Sequence, residues 1–167
     1  MKIIYCDGSS LGNPGKGGWG VVAIDNKKKK YWEFGEGVKL ATNNQMELAA
    51  CIFALKLILE SNKKEEQENT KFELRLDSKY VIQGSTVWIK SWVKNNWKNS
   101  QKKEVLNKEM WQEIQKLLTE TGERKIQITW THIYGHTGEK WNERCDEIAK
   151  ARASGDKIVL AKAAEIS

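Results

Sequence analysis

The start of the chain, residues 2–25, carries the pattern that decides the fold: KIIYCDGSSLGNPGKGGWGVVAID. Its first part, KIIYCD, is rich in β-branched and aromatic residues and leads into a glycine-rich segment, which predicts a strand followed by a turn. WGVVAID and then KKYWEFGEG predict two more strands, and the charged residues 26–30 between them are typical of a tight, solvated turn. Three strands joined by short links form an antiparallel meander.

The rest of the chain alternates helical and extended patterns. Apolar residues recur at helical spacing over 44–60, and the polar stretch 61–70 predicts an exposed loop. The later predicted elements are strands over 72–76 and 126–130 and helices over about 78–93, 105–121 and 139–153. Strands that alternate with helices pair in parallel through crossover connections, so we expect an α/β fold.

Length and charge limit the class of protein. A chain of 167 residues suits one domain, and 28 Lys and Arg against 22 Asp and Glu give a net charge of +6, which favours a polyanionic partner without identifying it. The start, MKIIYCDGSS, reaches an aspartate too soon to supply the apolar core of a signal peptide, and no stretch approaches transmembrane length. We therefore expect a cytoplasmic protein.

The cysteines predict no disulfide and no metal site. The three residues Cys6, Cys51 and Cys145 form no CxxC pair, and one thiol is left over under any pairing scheme. We expect reduced thiols that pack in the interior.

Four acidic residues occur in four distinct sequence contexts: Asp7 in YCDGSS, Glu47 in TNNQMEL, Asp77 in LRLDSKY and Asp146 in NERCDEIA. Carboxylates suit hard, oxygen-seeking cations, and Mg²⁺ takes one or two of them while leaving positions for water and a substrate phosphate. Ligands in an α/β sheet lie beside the carboxyl ends of its strands, and Asp7 and Asp77 are each predicted to end a strand. If the four residues converge, a phosphodiester nuclease is the natural interpretation.

Each of these residues also has an ordinary structural interpretation. Asp7 could form a turn with the glycine that follows it. Asp77 or Ser78 could be the N-cap of the next helix. Asp146 could pair with Lys150 one turn later on a solvated helix face. Spacing along the chain does not separate these interpretations from convergence in space.

Glu47 has a comparable alternative at the start of its helix. Asn44 with Glu47 would form a capping box, and so would Thr42 with Gln45. Glu47 would then serve only to fix the helix start.

The glycine-rich stretch 12–20, GNPGKGGWG, invites comparison with a phosphate-binding P-loop. That motif requires GK followed by Ser or Thr and opens directly onto a helix, whereas here glycines follow and then a strand. The P-loop interpretation fails, and a hairpin turn that needs unusual backbone angles is expected instead.

A segment that contains no acidic residue, 88–103, interleaves tryptophans with lysines: Trp88, Trp92 and Trp97 with Lys90, Lys94, Lys98, Lys102 and Lys103. If Trp88 and Trp92 share one helical face, Lys90 and Lys94 fall on the other. The segment is then either a solvated amphipathic helix or a helix with one packed face and one that attracts phosphates.

Taken in order, the runs YCDGSSLGNPGKGGWG, TNNQMELAA, LDSKYVIQG, WIKSWVKNNWK and GHTGEKWNERCDEIAKARA resemble the type 1 ribonuclease H family over residues 2–153. The resemblance implies a ribonuclease H-like fold, with a five-stranded mixed sheet of order 3-2-1-4-5, strand 2 antiparallel, and flanking helices. It implies a catalytic domain over 1–154. The tail 155–167 matches no family role and would either extend the packing or fray.

The resemblance also implies an activity. It implies an endonuclease that hydrolyses the RNA strand of RNA–DNA hybrids by two-metal-ion catalysis, with 5′-phosphate and 3′-hydroxyl ends. Two Mg²⁺ ions, with Mn²⁺ as a possible substitute, would be held by Asp7, Glu47, Asp77 and Asp146, and His136 would assist turnover. His132, four residues before His136, is expected to be structural or merely exposed. The partner would be an RNA–DNA hybrid, bound by a monomer with no membrane and no obligate protein partner.

Residues for substrate binding follow from the same resemblance. Those expected beside the RNA strand are Ser10, Asn13, Asn43 and Asn44. Those expected beside the DNA strand are Tyr80, Trp88 and Trp92, with Thr42 and Asn107 on a DNA phosphate. Leu40 departs from the family pattern, because some members carry a basic residue there for that phosphate.

Two other functions are compatible with this pattern. One is a non-catalytic module that binds hybrids through the same basic segment, and the presence of all four carboxylates argues against it. The other is an integrase-like strand-transfer domain of related fold, and the GHTG loop and the Trp/Lys segment favour ribonuclease H over it.

Overall fold

The computed structural model describes residues 2–64, 71–134 and 138–167. Within these ranges the strands are β1 Lys2–Ser10, β2 Gly15–Asp25, β3 Lys30–Ala41, β4 Lys71–Leu76, β5 Gln127–His132 and β6 Ala164–Glu165. The helices are α1 Asn43–Lys64, α2 Lys79–Gln83, α3 Ile89–Lys94, α4 Lys108–Glu123 and α5 Lys140–Ser154, with a π-helical turn, Gly84–Trp88, between α2 and α3. In the described ranges, no helix combines the length and the apolarity that crossing a membrane requires.

The strands form one mixed sheet of order β5-β4-β1-β2-β3-β6. β1 pairs in parallel with β4, and β4 pairs in parallel with β5. β2 runs antiparallel to both β1 and β3. The predicted order 3-2-1-4-5 and the antiparallel second strand are therefore confirmed. The predicted count of five strands was short by one, because the tail adds β6 antiparallel to β3 through only two residues of each strand.

The first strand is longer than its sequence pattern indicated. We expected it to end at Asp7, but β1 continues to Ser10, which pairs with Gly17 of β2. β2 likewise begins at Gly15 and not at Trp19. Asp7 consequently lies inside a strand and is paired with Gly20 of β2, so its backbone is fixed by the sheet.

Several glycines of β2 serve close packing. A Cβ atom on Gly18 would lie 2.3 Å from the carbonyl oxygen of Ala149, and one on Gly20 would also meet the backbone of α5. The prediction of unusual backbone angles in this stretch was wrong, because only Gly138 and Gly155 have positive φ among the described glycines. The glycines let α5, which carries Asp146, lie directly on the sheet.

Apolar side chains fill both faces of the sheet. The larger cluster lies between the sheet, α1 and α4, and its members include Leu48, Leu55, Ile58, Phe72, Leu74 and Trp111. The smaller cluster lies under α5 and includes Tyr5, Val22, Ile24, Cys145 and Ile148. All three cysteines are buried and free, which confirms that they serve packing.

The tail is packed and does not fray. Its apolar side chains Ile158, Leu160 and Ile166 lie against the smaller cluster. Glu33 of β3 forms two hydrogen bonds with this segment: its N–H donates to the carbonyl oxygen of Ala161 at 2.9 Å, and its side chain accepts from the N–H of Ala161 at 2.9 Å. The edge of β3 is thereby covered.

Candidate active site

Three of the four predicted carboxylates meet at one edge of the sheet. Asp7 lies in β1, Asp77 directly follows β4, and Glu47 lies one turn into α1. One carboxylate oxygen from each lies within 4.8 Å of the other two. β1 and β4 are parallel neighbours, so residues toward their carboxyl ends share an edge of the sheet.

Glu47 is available because other residues cap its helix. Thr42 Oγ1 accepts a hydrogen bond from the N–H of Gln45 at 3.1 Å, and Gln45 Oε1 accepts from the N–H of Thr42 at 3.0 Å. This is a reciprocal capping box. Glu47 Oε1 instead accepts from the N–H of Gly8 at 3.0 Å, which joins α1 to β1 beside Asp7.

Asp77 is likewise not the cap of the helix that follows it. The side chain of Ser78 accepts from the N–H of Val81 at 3.2 Å and so caps α2. The carbonyl oxygen of Asp77 lies 3.1 Å from Nε2 of His132, the last residue of β5. His132 thus has a structural contact, as predicted, and that contact fixes the backbone from which the Asp77 carboxylate extends.

Burial and like charge set the electrostatics of the cluster. Burial raises the pKa of Asp7 to about 7; the hydrogen bond to Glu47 lowers it, whereas the charges of Asp77 and Asp146 raise it. Burial also raises the pKa of Glu47 well above its ordinary value, and the neighbouring Asp7 adds to that effect. The cluster therefore keeps a proton near neutral pH in the absence of a cation.

Asp146 differs from the other three carboxylates. Its Oδ2 lies 2.8 Å from Nζ of Lys150, one turn later on α5, so the ordinary structural interpretation is realised here. It is not a member of the group whose oxygens lie within 4.8 Å of one another. Its negative charge nevertheless raises the pKa of Asp7, which places it near the cluster.

The chemistry of the donor set suits a hard divalent cation. Asp7, Glu47 and Asp77 offer only carboxylate oxygens, and these are the ligands that Mg²⁺ and Mn²⁺ prefer. In the described ranges neither Asp7 nor Glu47 forms an ion pair with a lysine or arginine, so the charges of these two carboxylates are not balanced by a described basic side chain. The predicted residue His136 lies outside the described residues.

The residues predicted beside the RNA strand form a hydrogen-bonded group next to the cluster. Asn43 Oδ1 accepts from the N–H of Ser10 at 2.8 Å and from its hydroxyl at 3.0 Å. Asn13 Oδ1 accepts from the N–H of Asn43 at 3.1 Å. Asn44 is exposed on the same first turn of α1. The loop after β1 is thereby held against the start of α1.

The residues predicted beside the DNA strand are linked to that group. Gln45 Nε2 donates to Asn107 Oδ1 at 3.3 Å, and Asn107 Nδ2 donates to the hydroxyl of Tyr80 at 3.2 Å. Trp111 Nε1 donates to the same hydroxyl at 3.0 Å. Thr42 begins this chain of contacts through its capping box with Gln45. Leu40 is 68% exposed and contributes no charge there.

Aromatic side chains continue from Tyr80 along α2 and α3. The ring centroids of Tyr80 and Trp88, and of Trp88 and Trp92, are each 5.9 Å apart. Lys90 and Lys94 are exposed, which confirms that the two residue types occupy different faces of the helix. The aromatic face is half-buried, so its outer part remains open to a ligand.

The family model for RNase H matches residues 1–154 of the sequence. The chain belongs to the ribonuclease H family. Membership makes the protein an enzyme, a ribonuclease H that hydrolyses phosphodiester bonds. The family is metal-dependent, and the cluster of Asp7, Glu47 and Asp77 is the group of described carboxylates suited to a metal ion.

Curated relatives are similar over nearly the whole chain. Ribonuclease H of Klebsiella pneumoniae subsp. pneumoniae is 43% identical over 151 residues, which cover 90% of this chain and 88% of the relative. Ribonuclease H of Actinobacillus pleuropneumoniae serotype 5b is 44% identical over 160 residues, which cover 92% of each.

Solved structures of ribonucleases H share the fold. LC11-RNase H1, in a crystal structure with an RNA/DNA hybrid, superposes with a TM-score of 0.67 at 27% identity over 93% of this chain and 98% of that one. LC9-RNase H1, a type 1 RNase H with the type 2 active-site motif, gives a TM-score of 0.77 at 24% identity over 97% of this chain and 77% of that one. The second likeness supports the fold alone.

Two supporting residues of this ribonuclease H were missed by the sequence analysis. Trp111 is fully buried, donates to Tyr80 and lies with its ring centroid 5.3 Å from that of Trp92. Gln45 had been considered only as a possible capping residue, yet its amide also reaches Asn107. Helical spacing marks Trp111 as a core residue, but no local signal indicates which aromatic residue it supports.

Proposed function

We propose that the protein is an Mg²⁺-dependent endonuclease that hydrolyses the RNA strand of RNA–DNA hybrids and leaves 5′-phosphate and 3′-hydroxyl ends. The observation that carries this proposal is the convergence of the Asp7, Glu47 and Asp77 carboxylates within 4.8 Å of one another. The hybrid complex of LC11-RNase H1, a structure of the same family, supports the substrate.

The residues proposed to hold two metal ions are Asp7, Glu47, Asp77 and Asp146. When bound at such a site, a pair of divalent ions activates a water for in-line attack and stabilises the leaving oxygen. Mn²⁺ is the expected substitute, because it also prefers carboxylate oxygens. We assign His136 a role in turnover, since the pKa of an unperturbed histidine suits proton exchange near neutral pH.

The protein contributes a prepared electrostatic environment. Asp7 is buried and Glu47 is half-buried, which limits the water that would weaken attraction to a cation, and the hydrogen bond from Gly8 to Glu47 holds β1 and α1 together. The pairing of Asp7 with Gly20 of β2 and the contact of His132 with the Asp77 carbonyl oxygen restrict the movement of both carboxylates. The site therefore needs little rearrangement before it binds metal.

Strand discrimination is assigned to two surfaces on either side of the start of α1. The polar group Ser10, Asn13, Asn43 and Asn44 would contact 2′-hydroxyls of the RNA strand, because this hydroxyl distinguishes RNA from DNA. The aromatic face of Tyr80, Trp88 and Trp92 would pack against sugars of the DNA strand. Gln45 and Asn107 connect these surfaces through hydrogen bonds, so the RNA strand and the DNA strand would bind to residues that are held in a fixed arrangement.

A phosphate of the DNA strand is assigned to Thr42 and Asn107. The Asn107 amide already bonds Gln45 and Tyr80, so phosphate binding would compete with these contacts. Leu40 supplies no cation, and the positive charge would come instead from the exposed lysines of α3, Lys90 and Lys94. We expect weaker phosphate binding here than in relatives with a basic residue at the position of Leu40.

We assign the catalytic domain to residues 1–154, the extent of the family match, and treat 155–167 as a packed extension. All the proposed catalytic residues come from one chain, so a monomer would suffice.

The deciding experiment compares four end-labelled duplexes of one sequence, RNA–DNA, DNA–DNA, RNA–RNA and DNA with a single ribonucleotide, at equal concentration with Mg²⁺ or with chelator. Only the RNA strand of the hybrid should be cut efficiently, and only with Mg²⁺. The Asp7→Asn variant is the matched control. Efficient cutting of the all-DNA duplex would favour an integrase-like activity, and hybrid binding without any cutting would favour a non-catalytic module.

A further inference from the structure

A cavity of about 540 Å³ lies at the end of the sheet opposite the carboxylate cluster. It lies between the sheet and the last turns of α1 and is partly open to solvent, and its apolar lining includes Ile4, Ala23, Trp32, Phe34, Leu57 and Phe72. Lys2 also lines it and lies five residues before Asp7 on β1, a separation of roughly 16 Å along a strand. The cavity is thus separate from the proposed nuclease site.

The cavity exists because one residue of its floor is small. Ala23 of β2 pairs with Ile4 of β1 on one side and with Trp32 of β3 on the other. Trp32 and Phe34 are two residues apart on β3 and therefore face the same way. The methyl group of Ala23 leaves space between these larger side chains and Leu57 of α1.

The rim of the cavity is charged and mainly basic. The charged lining residues in the described ranges are four lysines and two carboxylates, a net charge of +2: Lys2, Lys28, Lys64 and Lys162 with Asp25 and Glu60. Nζ of Lys2 and Nζ of Lys28 each lie 3.9 Å from Oδ2 of Asp25, and Nζ of Lys2 also donates to Oγ of Ser61 at 2.9 Å.

Lys162 is the basic residue that the tail adds to the rim. It is exposed and forms no ion pair with any described residue. Two hydrogen bonds hold the neighbouring residue, Ala161, in place, one from the N–H of Glu33 and one to its carboxylate. The backbone next to Lys162 is therefore fixed, and the positively charged side chain of Lys162 lies at the rim above the apolar floor of the cavity.

We propose that this cavity binds a small amphipathic monoanion, an aryl or acyl body that carries one carboxylate or sulfonate group. Its volume lies in the range of ligand sites, and its floor is made of aromatic and aliphatic side chains that favour an apolar body. The lysine rim would bind the acid group. A sugar or nucleotide would leave polar groups unpaired against the floor, which disfavours it.

Binding can be measured with 8-anilinonaphthalene-1-sulfonate as the fluorescent probe and dodecanoate as the competitor. We expect saturable one-to-one binding to the folded full-length chain. If dodecanoate displaces the probe, the ligand has an acyl body. If the probe stays bound in the presence of dodecanoate, the ligand has an aryl body. Amide resonances of Ala23, Trp32 and Leu57 should shift in a labelled sample, whereas that of Gly8 should not. Shifts centred on Trp88 and Trp92, or no saturable binding, would overturn the proposal.

Three variants test the apolar floor and the basic rim of the cavity. Ala23→Leu should fill the cavity and abolish probe binding, and Leu57→Trp serves the same purpose if Ala23→Leu does not fold. Lys162→Glu should weaken binding about fivefold, as expected for one solvent-accessible charge pair. Lys157→Glu makes the same charge change on an exposed tail residue outside the cavity and should have no effect. All folded variants should still cleave hybrid, and unchanged probe affinity in both Ala23→Leu and Lys162→Glu would contradict the proposal.

Discussion

Asp7 in β1 and Glu33 in β3 are both buried carboxylates, with 5% and 6% of their surface exposed, but their surroundings are opposite. Glu33 is paired with the guanidinium of Arg144 and accepts from the N–H of Ala161. Asp7 has Glu47 and Asp77 as its neighbours and no lysine or arginine partner in the described ranges. The two carboxylates are thus equally buried, but the charge of Glu33 is neutralised by Arg144, whereas the charge of Asp7 is not balanced by a described basic side chain.

The physical consequences of the two arrangements differ. The hydrogen bond to Glu33 raises the pKa of Arg144, so that pair is held together in the folded state, and Arg144 also donates to the carbonyl oxygen of Val159 at 2.9 Å. Burial raises the pKa of Asp7 to about 7, which shows that its ionised form is disfavoured without a cation. Glu33 stabilises the fold, whereas Asp7 destabilises the metal-free fold and prepares a site.

The largest expected effect is on activity. Asp7→Asn should lower hybrid cleavage by more than about a hundredfold, because even residues that only support metal ligands contribute that much. Glu33→Gln should keep cleavage within a few fold when measured well below its unfolding temperature. Initial rates on a labelled hybrid in Mg²⁺ distinguish the two. Near-normal cleavage by Asp7→Asn would refute the assignment of the cluster.

Stability should respond in the reverse order. Glu33→Gln leaves Arg144 without its buried partner and should lower the free energy of unfolding by about 2 kcal/mol. Asp7→Asn should leave it unchanged or raise it in chelator, since one repulsive charge is removed. Urea unfolding monitored by circular dichroism measures both. The control is Glu147→Gln, which removes the exposed partner of Arg144 and should change little; an equal loss in that variant would contradict the role of Glu33.

The dependence of stability on pH sharpens the same contrast. The folded pKa of Asp7, about 7, lies above its ordinary value of 3.8, so the folded protein binds a proton that the unfolded chain has released. The resulting stabilisation is present below about pH 4 and is lost as the pH rises to about 7, with a magnitude on the order of 4 kcal/mol. Metal-free wild type should therefore lose more stability across this window than Asp7→Asn. Parallel curves for the two proteins would show that Asp7 titrates normally.

The smallest effect concerns the fourth carboxylate. Asp146 is held by Lys150, so Lys150→Gln should release it and raise the affinity for Mg²⁺ about two- to fivefold. Lys157→Gln removes another exposed lysine, one that lies in the tail, and serves as the control. Titration calorimetry gives both affinities, and a weaker affinity in Lys150→Gln would mean that the lysine positions Asp146 for the metal.

Local patterns predicted the fold well where contacts are local. The helix cap at Thr42 and Gln45, the cap at Ser78 and the pair of Asp146 with Lys150 were all visible as alternatives, because each joins residues three or four positions apart or adjacent to a helix start. Their spacing did not show which alternatives are realised. The resemblance to ribonuclease H supplied the convergence of distant carboxylates, which no local rule contains.

The features that were missed depend on contacts between distant residues. β1 continues past Asp7 because β2 begins at Gly15, and those glycines are used for the approach of α5. The tail forms β6 because Glu33 and Arg144 hold it, two residues more than a hundred positions apart. A strand of two residues also has too short a pattern to recognise in sequence.

The most direct test of the contrast between Asp7 and Glu33 is the thermal unfolding temperature with and without Mg²⁺, measured above the pKa of Asp7 in wild type, Asp7→Asn and Glu33→Gln. A ligand that binds only the folded state raises this temperature, by about 5–10 °C at a hundredfold excess over its Kd. We predict that rise in wild type and in Glu33→Gln, from a lower starting temperature in the latter, and little or no rise in Asp7→Asn. An equal rise in Asp7→Asn, or none in wild type, would contradict a metal site built on the unbalanced charge of Asp7.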